Sequence, residues 1–234
     1  MVGRDLAWDG CCNVRDLGGL PVAGGGTTRF GRVVRSDNPS RLSTAGWNAL
    51  RAHGIRTVVA LRTIGTTDPD PDPAIVPPGV VVERVDLEDA TDPEFRRRCV
   101  DTEFWATPLQ WSEMLRSWPD RCAASVAAVA RAGTGGVVIS CGIGRDRTGL
   151  VAFLLLALVG VPADVIAQDW SRSLTRLVGD PIAEGLSPQK ILARNGVTVT
   201  AAVDAALALD VESRLLDGGL HVADLHAVRT RLSR

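Results

Sequence analysis

A cysteine and an arginine separated by five residues stand in the segment 140–149, which reads Ser-Cys-Gly-Ile-Gly-Arg-Asp-Arg-Thr-Gly. Its three glycines, Gly142, Gly144 and Gly149, let the backbone curve tightly and approach a ligand closely. A chain that passes here from a strand into a helix turns successive backbone N–H groups into one concavity, and the start of the helix adds positive potential. Arg147 can close the ring with two parallel hydrogen bonds to phosphate oxygens. The pattern predicts a phosphate-binding loop with Cys141 at its floor.

The thiol of Cys141 is the group that could react with a bound phosphate. The field that attracts an anion also favours the thiolate form of a cysteine, which is the nucleophile. The Thr148 hydroxyl can donate a hydrogen bond to this sulfur when it leaves. We therefore predict in-line attack by Cys141, a cysteinyl-phosphate and its hydrolysis by water, with Arg147 and the loop amides stabilising the equatorial oxygens. The alternative is a buried, inert Cys141 beside a surface arginine.

Asp146 is the best candidate for the general acid that protonates the leaving group, because it lies inside the loop and next to Arg147. An aspartate at the start of a helix is also favourable for purely electrostatic reasons, as part of an ion pair. Both interpretations stay open, with Asp37 and the stretch Asp86–Asp89 as reserve acids.

The elements that must position this loop are short and apolar. Val137–Ser140 predicts a buried strand, and Thr148–Val159 predicts an apolar helix that ends before Gly160. Further upstream we predict turns and an edge hairpin within residues 10–35, a helix at Ser43–His53, strands at Ile55–Leu61 and Val80–Val85, a loop at Thr66–Gly79, short helices and loops at Asp86–Pro119, and a helix at Arg121–Ala132.

Strands that alternate with helices predict an α/β fold with a mainly parallel central sheet. After about residue 163 the pattern is entirely helical. The predicted helices are Ala163–Leu177, Ile182–Ala193, Val199–Leu209 and Val222–Leu232. Without an internal repeat or a low-complexity linker, residues 1–234 are predicted to form one domain.

Composition excludes several classes of protein. The net charge is −1 and no basic stripe occurs, so nucleic acid is not expected as a partner. Five cysteines without a C-x-x-C pair fit a reducing compartment and indicate neither a disulfide framework nor a metal site. No secretory leader and no bilayer-length apolar run occur, which predicts a cytoplasmic protein. No cofactor is expected, and the sequence does not set the oligomeric state.

The sequence resembles the bacterial tyrosine-phosphatase-like family of tyrosine and lipid phosphatases over nearly its whole length. The loop is of that family's type, and other blocks match in the same order. These blocks are Asn13–Gly19, Val34–Asp37, Arg41–Ser43, Val58–Arg62, Gly160–Pro162 with Asp169, and Gly218–Leu220. The resemblance implies a cysteine-phosphatase-like sheet flanked by helices, with a helical C-terminal part.

The resemblance also implies roles for residues. Cys141 would be the nucleophile, Arg147 the phosphate-binding arginine and Asp146 the acid. The implied phosphate- and substrate-binding set comprises Gly142, Ile143, Gly144, Arg145, Thr148, Asp37 and Arg62. Arg145 stands where the family usually has a lysine linked to binding a second phosphate.

Two departures from the family pattern stand out. Ser140 replaces the usual histidine before the cysteine, which removes one support for the thiolate and for loop order. The segment after Arg62, Thr63–Asp68, lacks an acid expected soon after this arginine. The serine predicts a higher thiol pKa and slower turnover than in relatives. Together the two departures predict either a specialised substrate or a paralogue whose activity has drifted.

The expected substrate is a phosphorylated small metabolite, a phosphoprotein or a phosphoinositide. The alternatives are a phosphate-binding relative without catalysis, or another thiol enzyme such as an arsenate reductase or a sulfurtransferase. The reductase would need a resolving cysteine near Cys141. The aromatic cluster Phe104, Trp105, Trp111 and Trp118 could line a pocket, although burial against the sheet is favoured, and Arg96–Arg98 is interpreted as a solvated helix face.

Overall fold

The computed structural model describes residues 3–67, 69, 71, 74–185 and 187–233. A five-stranded sheet forms its centre, with strand order β1-β2-β5-β3-β4. The strands are β1 Arg15–Asp16, β2 Val33–Ser36, β3 Ile55–Ile64, β4 Val81–Asp89 and β5 Gly136–Ser140. β2, β5, β3 and β4 run parallel, and the short β1 pairs antiparallel with β2 at the edge. The predicted mainly parallel α/β fold and the edge pairing within residues 10–35 are confirmed.

Helices surround this sheet. They are α1 Thr44–Ala52, α2 Pro93–Phe95, α3 Leu109–Ser117, α4 Pro119–Arg131, α5 Asp146–Leu158, α6 Ala163–Arg176, α7 Pro181–Glu184, α8 Pro188–Arg194, α9 Val199–Leu207, α10 Val211–Asp217 and α11 Val222–Leu232. Short 3-10 turns occur at Pro39–Arg41 and Phe104–Ala106, and a π-helical turn occurs at Arg96–Val100. In the part of the chain that is described, none of the helices has the length and apolar character needed to cross a bilayer.

The sheet is buried on both faces, as parallel sheets require. Adjacent valines on three strands point to opposite sides, because side chains alternate along a strand. One side joins a large core with α3, α4, α5 and α9–α11. The other joins a smaller core centred on Trp47 and Leu50 of α1. The valine pairs are Val33 and Val34, Val58 and Val59, and Val137 and Val138.

Position in the sheet explains where the loop lies. β5 is the central strand and all its residues are buried. Its last residue, Ser140, is in register with Ser36 on one side and with Ala60 on the other. The segments that follow these three strands therefore meet at one edge of the sheet, where ligands of α/β proteins bind.

Both strands beside the predicted proline-rich loop are longer than predicted. β3 and β4 stay paired from Thr57 with Val81 to Ile64 with Asp89. Leu87 is fully buried, which extends the alternating pattern of β4 beyond Val85. The prediction of loops and helices for Asp86–Asp89 was therefore wrong. Within the predicted loop, residues 68, 70, 72 and 73 lie outside the described residues.

Two C-terminal helices also differ from the prediction. The single helix predicted at Ile182–Ala193 is replaced by α7 and α8, because Pro188 begins a new helix rather than continuing one; residue 186 lies outside the described residues. The helix predicted at Val199–Leu209 ends at Leu207. Asp210 then adopts a left-handed backbone, with φ 56°, and caps the unpredicted α10.

Candidate active site

The loop spans the junction of β5 and α5, as predicted. β5 ends at Ser140, and α5 begins at Asp146. Cys141 follows the strand directly and is only 6% exposed. Gly144 has φ 68°, and a Cβ there would come within 2.5 Å of the backbone of Ser36 and Asp37. This position therefore requires glycine both for its conformation and for the close approach of the β2 backbone.

Hydrogen bonds from behind orient the peptide groups of the loop. Three successive loop carbonyls accept hydrogen bonds from residues outside the loop. Asn13 Nδ2 donates to the Ile143 carbonyl at 2.9 Å, Arg35 Nη2 to the Gly144 carbonyl at 2.8 Å, and the Asn38 amide to the Gly142 carbonyl at 3.3 Å. With the carbonyls held to the rear, the opposite ends of these peptide planes face the front, which is the arrangement of an anion-binding nest.

Arg35, one of the donors behind the loop, belongs to a largely buried group of charges, the Asp169 cluster, which comprises Arg4, Arg15, Arg35 and Asp169. Arg15 Nε lies 3.1 Å and Arg35 Nη1 2.7 Å from the Asp169 carboxylate, and Arg4 also pairs with it. Arg15 reaches the loop through Asn13, whose Oδ1 accepts from Arg15 Nη1 at 2.6 Å. The cluster thus ties β1, β2 and α6 to the loop.

Electrostatics bind this cluster together. Burial would raise the pKa of Asp169, but the charges of Arg15, Arg35 and Arg4 hold that pKa well below the usual range. Burial, followed by the neighbouring charge of Arg35, lowers the pKa of Arg15 to about 9, although Asp169 opposes this shift. Asp169 is therefore the group that allows the buried guanidinium ions of Arg15 and Arg35 to lie together, with the partly exposed Arg4 beside them.

Arg147, the predicted phosphate ligand, is anchored from the sheet. Its Nη1 donates to the Leu61 carbonyl at 2.8 Å, and its Nε lies 3.8 Å from Glu88 Oε2. Glu88 is 4% exposed and accepts from Gln110 Nε2 at 2.7 Å and from the Thr63 hydroxyl at 2.8 Å. Burial raises the pKa of Glu88, although Arg147 and the two donors oppose that shift.

Asp146 is paired with the residue before it. Arg145 Nε donates to Asp146 Oδ1 at 2.9 Å and Arg145 Nη2 to Oδ2 at 3.3 Å, which makes a two-pronged ion pair. Arg145 is only 2% exposed. Asp146 thus has the ion pair expected of a structural aspartate at a helix start, and its carboxyl group also lines the cavity described below.

The remaining predicted site residues, Thr148, Asp37 and Arg62, do not line the cavity described below. The Thr148 hydroxyl, in the first turn of α5, is buried and has no hydrogen-bond partner within the described residues. Asp37 is a structural residue, because its carboxylate accepts from the backbone amides of Asn13 at 2.9 Å and Cys12 at 3.2 Å. It does not line the cavity, so its geometry does not support the reserve role as an acid. Arg62 lines a small separate cleft on the other side of Cys141.

A cavity of about 310 Å³, here called the loop cavity, opens over the loop. Cys141, Gly142, Ile143, Arg145, Asp146 and Arg147 form its base, and Thr63, Thr66, Glu88, Ala90, Phe95, Val100 and Trp105 form its walls. Of the aromatic cluster, Trp111 and Trp118 are buried as expected, whereas Trp105 lines the cavity. Among the described residues, no group of His, Cys, Asp or Glu side chains is arranged to hold a metal ion.

Some of these residues were not identified from the sequence as supports of the site. The sequence analysis named four of them only as parts of the blocks that resemble the family: Asn13, Arg15, Arg35 and Asp169. Glu88 was included only in the reserve stretch Asp86–Asp89. The Arg96–Arg98 run is confirmed as an exposed helical face, where Glu94 pairs with both Arg97 and Arg98.

Fold and loop together define a phosphatase-like α/β protein, and comparison with known sequences agrees. The sequence model of the tyrosine phosphatase family matches residues 6–226. A protein of Cupriavidus necator named as a tyrosine-protein phosphatase is 33% identical, over 94% of this chain and 79% of its own. The triple specificity protein phosphatase PtpB of Mycobacterium tuberculosis is 30% identical, over 74% of this chain and 70% of its own. The chain belongs to the tyrosine phosphatase family and is a phosphatase.

Proposed function

We propose that this phosphatase hydrolyses phosphate monoesters through a cysteinyl-phosphate on Cys141. The observation that carries the proposal is the orientation of the loop. Three of its carbonyls are held to the rear by Asn13, Arg35 and Asn38, next to a cysteine that directly follows the central strand. Amides that face the front, with the Arg147 guanidinium, would bind the three non-bridging oxygens of a phosphate over Cys141.

In the first step the Cys141 thiolate attacks phosphorus opposite the ester oxygen. An S–P bond forms as the P–O bond breaks, and the electron pair of that bond goes to the leaving oxygen. The protonated form of Asp146 gives its proton to this oxygen, so the product is a neutral alcohol. Arg147 and the loop amides stabilise the charge on the equatorial oxygens throughout.

In the second step water replaces the sulfur. Water loses a proton to Asp146 as its oxygen attacks phosphorus, the S–P bond breaks, and the electron pair returns to Cys141 as thiolate. The Thr148 hydroxyl, which finds no partner among the residues that the structure describes, is available to donate a hydrogen bond to that sulfur. Inorganic phosphate leaves, and both Cys141 and Asp146 return to their starting forms.

Geometry favours Asp146 over Glu88 as the acid. Both carboxyl groups line the loop cavity. Both also accept hydrogen bonds at both oxygens, Glu88 from Gln110 and Thr63 and Asp146 from Arg145. Glu88, however, lies in the sheet, with one oxygen 3.8 Å from Arg147 Nε. Glu88 is therefore suited to holding Arg147 in place, whereas Asp146 belongs to the loop itself.

Hydrolysis is favoured over arsenate reduction by the surroundings of Cys141. The described lining of the loop cavity contains no second cysteine. Cys99 and Cys122 are buried elsewhere, and burial raises the pKa of Cys99 to about 12. A resolving thiolate, which reduction through a disulfide would need, is therefore not provided at this site.

The test is phosphate release by the purified protein and by Cys141→Ser. An aryl phosphate, a phosphotyrosine peptide, a phosphoinositide and sugar phosphates would be the substrates. Loss of a nucleophile of this type lowers kcat by roughly 10³-fold or more. Cys12→Ser is the matched control, because Cys12 is exposed and lies outside the loop cavity. Release that survives in Cys141→Ser would reject the proposal.

A further inference from the structure

The edge of the sheet opposite the phosphate-binding loop carries a surplus of positive charge. The parallel strands begin at this edge, and five arginines lie beside the starts of β2 and β3 or at the end of α11. These residues, here called the basic edge, are Arg29, Arg32, Arg51, Arg56 and Arg231. Among the described residues none of the five pairs with a carboxylate, whereas arginines elsewhere on the surface, such as Arg97, Arg172 and Arg194, do.

Hydrogen bonds from the end of α11 bring part of the basic edge together. The guanidinium of Arg231 reaches the loop between α4 and β5, where Nη1 donates to the Gly135 carbonyl at 2.9 Å and Nη2 to the Ala132 carbonyl at 2.5 Å. Arg29 lies at the same end of α11, because its Nη1 donates to the Thr230 carbonyl at 3.1 Å. Two guanidinium groups therefore meet where α11 ends.

The other arginines of the basic edge lie around the same loop. Arg56 packs against Gly135, where a Cβ would come within 2.6 Å of the arginine Cγ, and its Nη1 donates to the Arg51 carbonyl at 3.0 Å. Burial, followed by the charge of Arg32, lowers the pKa of Arg231. The Nε of Arg231 is buried and has no partner among the described residues. Guanidinium groups this close repel each other, and an anion bound between them would remove that repulsion.

Carboxylates near the basic edge are already used within the protein. Asp16 of β1 is buried and lies 3.0 Å from His53 Nε2. Asp224 accepts from Arg131 at both oxygens, at 2.9 and 2.7 Å, and Glu83 also interacts with the charge of Arg131. The whole chain has a net charge of −1, so the surplus at this edge is offset elsewhere on the molecule.

A groove of about 430 Å³ lies beside these arginines, between the starts of β3, β4 and β5. Glycines make up much of its lining, together with Arg56 and Val81, whose side chain is 63% exposed. The carbonyls of Gly133 and Gly135 are turned towards α11, and the amides of residues 133–135 donate to no acceptor among the described residues. Free amides and a guanidinium group in one groove favour a ligand that presents carboxylate and carbonyl oxygens.

We infer that the basic edge binds an acidic, extended segment of a partner protein. Carboxylates of that segment would pair with the forked guanidinium groups, and its main chain would lie in the glycine-lined groove. The shape of the site favours a peptide over other polyanions. A flat bilayer cannot enter a groove, and the described lining has no aromatic ring on which the bases of a single nucleic-acid strand could stack.

The basic edge lies far from the proposed chemistry. β5 runs from Gly136 at this edge to Ser140, directly before Cys141, which separates the two ends by about 17 Å at roughly 3.3 Å per residue. A segment bound at the basic edge therefore leaves the loop cavity open. The inference stands whether or not Cys141 acts as proposed.

Fluorescence anisotropy of a labelled glutamate peptide, measured with the full chain, tests the inference. At about 50 mM salt this peptide should bind at least about tenfold more tightly than a Gly-Gln peptide of the same length. Raising the salt to about 300 mM should weaken its binding about fivefold or more, because exposed charges are then screened. Turnover of an aryl phosphate should not change when the peptide is added.

Three variants locate the binding surface. Arg32→Gln combined with Arg56→Gln should weaken the glutamate peptide about tenfold. Thr134→Glu, at an exposed residue of the groove, adds a negative charge without removing an arginine and should weaken it about fivefold. Arg194→Gln is the matched control, since this exposed arginine lies in an ion pair with Glu103, and it should change binding less than about twofold. Wild-type turnover of the aryl phosphate shows that each variant is folded.

Several results would overturn the inference. One is that the glutamate peptide binds no better than the Gly-Gln peptide at low salt, and another is that its binding is unchanged in Thr134→Glu and in the double variant. Competitive inhibition of aryl phosphate turnover by the peptide would place it in the loop cavity instead. Tighter binding of phosphatidylglycerol–phosphatidylcholine vesicles or of a single-stranded oligonucleotide, lost in the same variants, would assign the basic edge to a membrane or to nucleic acid.

Discussion

The rear and the front of the phosphate-binding loop bury charge in different ways. Behind the loop, three guanidinium groups share the single carboxylate of Asp169, so positive charge is in excess. In front, Arg145 and Arg147 each lie beside a carboxylate within apolar walls. The difference indicates two separate roles. The rear holds the loop in place and attracts an anion, and the front contacts the group attached to that anion.

Removing the shared carboxylate should have the largest effect. Asp169→Asn leaves the buried Arg15 and Arg35, and the partly exposed Arg4, without their counter-charge, which should lower the free energy of unfolding by about 3–5 kcal/mol. Urea denaturation measures this change. Asp164→Asn on the same helix is the control, because Asp164 is exposed and its replacement should cost less than about 1 kcal/mol. Equal losses in the two variants would show that the rear cluster carries no special stability.

Arg35 connects the rear cluster to the loop and should affect catalysis more than stability. Its Nη1 pairs with Asp169 while its Nη2 holds the Gly144 carbonyl, and the single nitrogen of lysine does not reproduce this planar fork. Arg35→Lys should lower kcat/KM about 10²-fold through a displaced loop, with less than about 2 kcal/mol of unfolding free energy lost. Arg172→Lys, in an exposed ion pair with Asp5, is the neutral control. If Arg35→Lys keeps the wild-type kcat/KM, the Asp169 cluster does not position the loop for catalysis.

At the front, two carboxyl variants distinguish proton transfer from positioning. Asp146→Asn should lower kcat for an alkyl phosphate by roughly 10²-fold and for a nitrophenyl phosphate much less, because a good leaving group needs no acid. Glu88→Gln should lower kcat for both substrates to a similar degree, since it acts through Arg147. If kcat depends on the leaving group in Glu88→Gln and not in Asp146→Asn, then Glu88 rather than Asp146 is the general acid.

The smallest expected effect concerns pH. The pKa of Asp169 is lower in the folded than in the unfolded chain, so its contribution to stability is complete above the unfolded pKa and is lost as pH falls. The wild type should therefore lose stability more steeply than Asp169→Asn below about pH 4. Unfolding free energies measured in urea from pH 7 down to pH 3 test this. Parallel curves for the two proteins would contradict it.

The loop could be predicted from the sequence because its signals are local. A β-branched strand, three glycines and an apolar helix lie within residues 137–159, and the structure has the loop at that junction. The sheet was predictable for the same reason. Its strands are short apolar runs that alternate with helices.

Contacts between distant residues could not be predicted in this way. Asp169 meets Arg35 and Arg15 across 134 and 154 residues of sequence, and nothing near any of the three indicates a partner. The sequence predicts irregular structure around Glu88, because polar residues in β4 obscure the alternation of apolar and polar side chains along the strand. The pairing of β3 with β4 nevertheless places Glu88 beside Thr63. Trp105 and Trp111 look alike in sequence, and only the fold separates a cavity wall from the core.

The most direct test of the proposed chemistry is to trap the intermediate. Wild-type protein mixed with an aryl phosphate would be quenched in acid within the first turnover, digested and analysed by mass spectrometry. We predict one phosphoryl group on the peptide that contains Cys141, and none on that peptide from Cys141→Ser. A phosphoryl group on another residue, or turnover of the ester with no phosphorylated peptide at any quench time, would contradict the cysteinyl-phosphate mechanism.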